Sequence, residues 1–517
     1  MRRALLLFLV TTACSGDEGS PAGPPPPTDP AALERTVRDL AAFGEKRVGT
    51  AGGAAAASYL RARLQSLGLD ELRSETFHVP GYQVRSATLR LTVDGVERPI
   101  GFDVLEGSGG GVADAEVIYA GGAEASDLAG LDLDGKIALV DRRTTFHRSS
   151  QYREVGRKGA VAMLYVSDAP DNLRQVGSTR AGFEAVGDIP AISIGMQDAA
   201  ALRGAGERVH ARIDVDAGVT PATGENLIAV LEGELPAQIV VGAHFDSWFS
   251  GSCDNGGGVA ALLALAERRA RRPARHTLVF VAFDGEEPGL YGGYHFLREH
   301  GDDPIAAVLN FEVPSARDSA LAGLGRSGQP VLDEALRGAG LRAFYPFYVD
   351  LELVPRLFGG IIPTDIQGLY RDGIPTVSTA VTYATYHTVE DTPDKVDYEV
   401  LADVVDAFDA VIDALDAAPD GALAARDPTL WNAVVELTGA RVAVTVTDAA
   451  GAAKAGVTVD ANLLHDDFYL DRTLSAQTDA GGRAVFDLPA DTRTGRALHL
   501  AAGETYPLVE KLISLGN

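Results

Sequence analysis

Cysteine is nearly absent from this 517-residue chain: Cys14 and Cys253 are the two present. A disulfide framework is therefore excluded as the source of stability, and with Cys14 modified or removed no intrachain bridge forms. Apolar runs of membrane-spanning length are missing as well, the longest leading segment being Ala4 to Val10. Basic residues are outnumbered, with 45 Lys and Arg against 72 Asp and Glu and a formal charge of -27. Such a chain repels nucleic acid and anionic membrane surfaces, so neither is expected as a partner. What it has in quantity is hydrophobic residue, 46% of the total, enough to fold and bury cores. The length exceeds what one core serves, and several domains are expected.

Arg2 and Arg3 followed by the apolar Ala4 to Val10 read as an export signal, too short to cross a bilayer. Thr11, Thr12 and Ala13 then lead to Cys14, a layout that resembles a bacterial lipoprotein signal in which the cysteine carries the lipid. Thr11 stands where such signals usually have leucine, and plain signal cleavage is the alternative. The stretch SGDEGSPAGPPPPTDP, residues 15–30, is a semi-rigid linker suited to holding a domain off a surface. The expected location is outside the cytoplasm, secreted or lipid-anchored to the envelope, with Cys14 as the membrane attachment.

Periodicity divides the remainder. Helical spacing runs from Ala31 to Leu69, and alternating strands begin near Gly81. Residues 101–219 have a texture of their own, with GKIALVDRR and IPAISIGMQ as strands around a helix. After Gly224 strands and helices alternate, from AQIVVGAH to the helix that places Leu401, Val404, Val405, Phe408, Ile412 and Leu415 on one face. That alternation predicts an α/β domain, a mostly parallel sheet with helices on both faces. Short strands and Gly/Asp turns over 438–517 predict a small β-sandwich.

Ligands of open α/β sheets bind beyond the carboxyl ends of the strands. Each strand-like run here is followed there by imidazole or carboxylate: His244 and Asp246, then Glu286 and Glu287, then Glu312, then His387, with Asp254 opening a glycine-rich helix. Singly, each has an ordinary reading as a turn, a cap or a structural histidine. Their recurrence at one sheet edge predicts a metal site. Nitrogen and oxygen ligands suit zinc, and five ligands exceed the need of one tetrahedral ion but fit two sharing a carboxylate.

The ordered motifs AHFDS, CDNGGG, FDGEEPGLYGG, LNFE and YHTVEDTPDKV resemble the co-catalytic zinc exopeptidases, the family of bacterial leucine-type aminopeptidases and glutamate carboxypeptidases. Residues 101–219 resemble a protease-associated (PA) domain inserted into the peptidase domain, which takes 31–100 and 220–420. The C-terminal segment resembles carboxypeptidase regulatory-like sandwiches, with a binding or spacer role. The resemblance implies Asp254 as the bridging ligand of two zinc ions, His244 and Glu312 on one, and Glu287 and His387 on the other. It implies Asp246 as the residue that orients His244, and Glu286 as the general base. Glu312 stands where the family more often has aspartate, and residues 364–366 lack a histidine often found there. Cys253 beside Asp254 is expected to shape the loop rather than bind metal.

The expected activity is removal of single residues from peptide ends, N-terminal ones foremost. Two alternatives stand beside it: a glutaminyl cyclase with one zinc, and a surface binding protein without turnover.

Overall fold

The computed structural model describes residues 26–515 apart from 181, 184–185, 205–208, 420, 424–425, 466–467, 490–495 and 505. The export signal, Cys14 and most of the linker lie outside the described residues.

Strands Leu235–His244, His276–Phe283, Ile305–Asn310 and Thr376–Thr382 form the centre of the sheet and run parallel. Their near-continuous apolar sequences are buried on both faces, as central parallel strands require. The flanks are antiparallel: Leu321–Arg326 against Thr376–Thr382 on one side, Val209–Leu231 against His276–Phe283 on the other. The sheet is therefore mixed, with a parallel heart. Leu321–Arg326 and its partner at the edge, Phe347–Asp350, escape the sequence pattern, being half-exposed strands without a clear alternation.

On one face pack Pro30–Ala41, Ala51–Ser66, Gly257–Arg269 and Tyr398–Asp416. Thr50 caps the second, accepting from the Gly53 N–H at 3.1 Å, and Asp397 caps the last. The predicted face of Tyr398–Asp416 is buried in full, from Leu401 to Leu415. Arg269, itself buried, pairs with Asp409 at 2.6 Å and pins this helix to Gly257–Arg269. Both helices begin just after site residues, so the pin also holds the site's frame.

Two 23-residue strands, Glu71–Val93 and Val209–Leu231, pair antiparallel along their whole length. One half belongs to the peptidase sheet. The other carries the inserted domain, where Gly111–Tyr119 joins Val209–Leu231. The ribbon takes part in the insert's core: Leu91 and Val93 pack with Ile137, Leu139 and Leu164. The ribbon changes owner near a register shift between Val84 and Ser86, where a bulge adds twist.

The C-terminal part is a sandwich of a three-stranded and a four-stranded antiparallel sheet around Val444, Val459, Leu463 and Leu500. It is docked, not tethered. Phe468, Leu464 and Leu512 share a core with Phe77, Tyr291 and Tyr294 of the peptidase domain. Beside them Glu510, 2% exposed, pairs with the equally buried Arg371, accepts from the Tyr294 hydroxyl at 3.0 Å and lies 3.3 Å from His499.

Burial alone would raise the Glu510 carboxyl, but Arg371 and His499 reverse this and bring it down to about 2. A carboxyl depressed in the folded state stabilises above its unfolded pKa, and that share is lost as pH falls from about 5 towards 2. Glu510→Gln is expected to cost about 3 kcal/mol at pH 7, leaving Arg371 buried without its partner. The gap to wild type should narrow progressively below pH 5, as measured by denaturant titration at several pH values.

Candidate metal centre

Five chain segments deliver carboxylates and imidazoles to one point at the carboxyl ends of the parallel strands. His244 ends its strand, Glu286 and Glu287 follow His276–Phe283, and Glu312 lies two residues past Ile305–Asn310. His387 follows Thr376–Thr382, and Asp254 sits in the turn before the helix Gly257–Arg269. That turn needs its glycines. A Cβ on Gly258 would lie 2.2 Å from Asn255 Oδ1 and 2.7 Å from the Phe311 carbonyl. Asn255 fills the space instead, donating to the Phe311 carbonyl and accepting from Val313 N–H, which ties the Asp254 turn to the Glu312 strand end.

Asp254 stands between the two imidazoles. Its Oδ1 is 3.2 Å from His244 Nε2, and its Oδ2 is 3.1 Å from His387 Nε2. Glu312 Oε2 lies 3.5 Å from His244 Nε2, and Glu287 Oε2 lies 3.2 Å from His387 Nε2. Two groups of ligand atoms fall within 4.8 Å of one another, His244 with Glu286 and Glu312, and Asp254 with Glu287 and His387. All six residues predicted from sequence as ligands or base thus meet in one cleft.

The charge in this cleft is unbalanced. Burial pushes Glu286 well above the usual carboxylate range, with Glu312 and Glu287 adding to it and His244 opposing. Burial likewise lifts Glu287 to about 7, against the pull of His387. Burial disfavours an imidazolium at His387, yet Glu287 and Asp254 raise it to about 9. His244 is raised in the same way, by Glu312 and Glu286 above all. Protons are being drawn in where positive charge is required. Among the described residues His244 Nε2, Asp254 Oδ1 and Glu287 Oε1 are buried and find no hydrogen-bond partner, and they converge on a space that a cation of the zinc type fits. Cys253 is buried in the apolar core and belongs to neither group.

The supporting residues differ in part from the sequence expectation. The Asp246 backbone carbonyl, not its carboxylate, makes the close contact with His244 Nδ1, at 3.0 Å against 3.4 Å. The carboxylate accepts instead from the backbone N–H groups of Glu286 and Glu287, both at 3.1 Å. Trp248 Nε1–H donates to Glu287 Oε2 at 2.6 Å. Asp391 stands in the sequence only as part of a motif, yet its carboxylate accepts from Cys253 N–H, Asp254 N–H and the Tyr383 hydroxyl, fixing the Asp254 turn.

The sequence does not reveal the role of the inserted domain. Val176 N–H donates to the His387 carbonyl at 3.0 Å, and the His387 Nδ1 lies 3.1 Å from the Val176 carbonyl. Gln175 Nε2 donates to the Tyr386 carbonyl beside it. His387 has a left-handed φ of 56°, costly for a non-glycine residue, and this clasp holds it there. Nδ1 donates to the Val176 carbonyl, so in the neutral ring Nε2 is the nitrogen left with a lone pair, facing the carboxylates. The same domain brings His147, Arg148 and Arg180 into the wall of the cleft. Arg180 is paired with buried Glu106 at 3.2 Å.

Residues 226–412 match the model of peptidase family M28, and residues 111–202 match the PA domain. Among curated relatives, the probable lipoprotein aminopeptidase LpqL of Mycobacterium tuberculosis is 27% identical over 328 residues, 60% of this chain and 64% of that protein. The aminopeptidase YwaD of Bacillus subtilis is 26% identical over 293 residues, 54% of this chain and 60% of that one. The chain thus spans somewhat under two thirds of the length of these relatives. In fold it is similar to an aminopeptidase from Aneurinibacillus sp. strain AM-1, with a TM-score of 0.59 at 24% identity over 77% of this chain and 96% of the other. It is also similar to a peptidase M28 precursor from Shewanella amazonensis SB2B, with a TM-score of 0.62 at 23% identity over 74% and 92%. The strand ends that bring the carboxylates and imidazoles together lie inside the first match and the His387 clasp inside the second, so the chain carries a peptidase family M28 domain and an inserted PA domain.

Proposed function

We propose that this protein is an exported aminopeptidase that uses two zinc ions to release single residues from the free N-termini of peptides. The observation that carries the reading is the sharing of Asp254 between two imidazole–carboxylate groups, with Glu286 alongside. His244 and Glu312 would hold one zinc with an oxygen of Asp254, and His387 and Glu287 the other. Bound there, zinc acidifies a water and polarises the scissile carbonyl.

Glu286 is the proton carrier. Its side chain accepts no hydrogen bond among the described residues, whereas Glu287 is held by Trp248 and faces His387. Asp246 fixes the two backbone N–H groups, so the neighbouring carboxylates keep separate directions. Glu286 would take a proton from the attacking water and pass it to the leaving amine. Glu312 is longer by a methylene than the aspartate usual in the family, and Thr364 Oγ1 donates to its Oε2 at 3.2 Å, setting its reach. Relatives named as aminopeptidases support attack at the N-terminal end.

Lipid anchoring at Cys14 extends the proposal. A relative is named a lipoprotein aminopeptidase, and no described helix is long and apolar enough to cross a membrane.

Short peptides with free and with acetylated N-termini test the activity: release of the first residue is expected only from the free ones. Cleavage of the acetylated set alone would overturn the aminopeptidase reading.

Glu286→Gln should lower kcat by about 10²–10⁴-fold with zinc content unchanged. Glu287→Gln and Glu312→Ala should each lose metal, and Glu312→Asp should retain part of both metal and rate. Metal analysis alongside kinetics separates these, and equal zinc loss in Glu286→Gln and Glu287→Gln would refute the division of labour.

Wild type should partition into detergent and Cys14→Ala should not. A mature N-terminus mapped downstream of Cys14 would exclude the anchor.

A further inference from the structure

The cleft does not end at the metal centre. Its wall residues Gly182, Ile361 and Gln367 also line a second, larger space, about 580 Å³ against about 60 Å³ in the cleft. Three parts of the chain border it. The PA-domain helix Arg148–Arg157 supplies Arg153 and Arg157, the peptidase domain the loop 359–361, and the sandwich Asp460, Asn462 and Thr473. Another cavity of similar size, about 620 Å³, lies between residues 47–50 and 79–84 but shares no lining residue with the cleft. Continuity with the metal centre distinguishes the cavity on the sandwich side.

The wall between cleft and cavity is fastened to the sandwich. Gln367 Oε1 accepts from Ile362 N–H at 2.7 Å, and Gln367 Nε2 donates to the Tyr294 hydroxyl at 2.7 Å. Tyr294 in turn donates to Glu510 of the sandwich. Arg371, the partner of Glu510, donates to the Gly360 carbonyl at 2.6 Å. These groups are buried, so the loop is set by where the sandwich sits.

Size and charge indicate the occupant. The space, about 580 Å³, falls within the range of about 300–1,000 Å³ that sites for one small ligand span, and an extended peptide advances roughly 3.3–3.6 Å per residue, so it suits a short stretch of chain. Arg153 and Arg157 line it together with Asp460, charges of both signs that suit a main chain with mixed side chains. An enzyme that removes one terminal residue keeps that residue in the cleft and must house the rest of the chain beyond it.

We propose that this cavity is the subsite for the portion of a peptide substrate beyond the scissile bond, and that the C-terminal sandwich is its outer wall. The proposal rests on the aminopeptidase reading above. Thr473 offers a test, being exposed on the sandwich and bonded only to Asn462 among the described residues, at 2.7 Å. Thr473→Trp should raise KM for a hexapeptide with a free N-terminus five- to tenfold, with kcat within twofold of wild type. Its kinetics on a dipeptide with the same first residue should stay within twofold. An active wild type with an unchanged hexapeptide KM in Thr473→Trp, or an equal loss on both substrates, would overturn the subsite alone. A wild type that cleaves neither substrate would overturn the aminopeptidase reading and the subsite together.

Discussion

Mutual repulsion among buried carboxylates is the constraint around which this molecule is arranged. Asp254, Glu286, Glu287 and Glu312 occupy one cleft, with His244 and His387 among them and Arg148 and Arg180 in its wall to offset part of the charge. Isolated buried charge costs several kcal/mol per ion unless it is paired. The parallel strands bring the groups together, and backbone N–H groups and side-chain donors keep them apart at fixed angles. Asp246 and Asp391 do this from behind, each accepting two backbone N–H groups of the ligand-bearing turns. The pull on protons at His244 and His387 is the same demand for positive charge seen from the imidazole side.

The site was legible in sequence to the extent that topology aligns strand ends. A run such as AQIVVGAH announces a buried strand, and the residues at its carboxyl end must lie at the sheet's edge. His244, Glu286, Glu287, Glu312 and His387 could therefore be grouped before any coordinates. Sequence also located the helix face from Leu401 to Leu415, because a period of 3.6 survives any tertiary context. It failed where the information lies in contacts between distant segments. Val176 carries no chemistry in its side chain, and only its backbone touches His387, so no residue type could have revealed it. Asp391 has its partners, Cys253 and Asp254, remote in sequence, so nothing local announces its role. A 23-residue strand likewise has no local signal where it passes from one core to another.

The C-terminal sandwich shows how texture can mislead about involvement. Regular short strands suggest an appended module, and its own core of Val444, Val459 and Leu500 fits that description. Its second face does not. Phe468 and Leu512 enter an apolar cluster with Phe77 and Tyr291, and Glu510 is buried against Arg371. A spacer needs neither. The sandwich completes the peptidase domain's surface and, through the loop 359–361, reaches the edge of the cleft.

The paired bonds between Val176 and His387 bear on how such an enzyme can be rebuilt. Insertions held by a two-stranded ribbon look like cassettes, since both ends leave the host sheet side by side. Here the exchange would not be clean. A transplanted domain would inherit the ribbon from Glu71–Val93 and Val209–Leu231, but it would have to present a backbone N–H and carbonyl at the position of Val176 as well. Removing the domain would free His387 from its left-handed backbone and its fixed tautomer, even though no residue of the metal centre itself had been deleted. A change of insert is therefore also a change in what holds His387 in place.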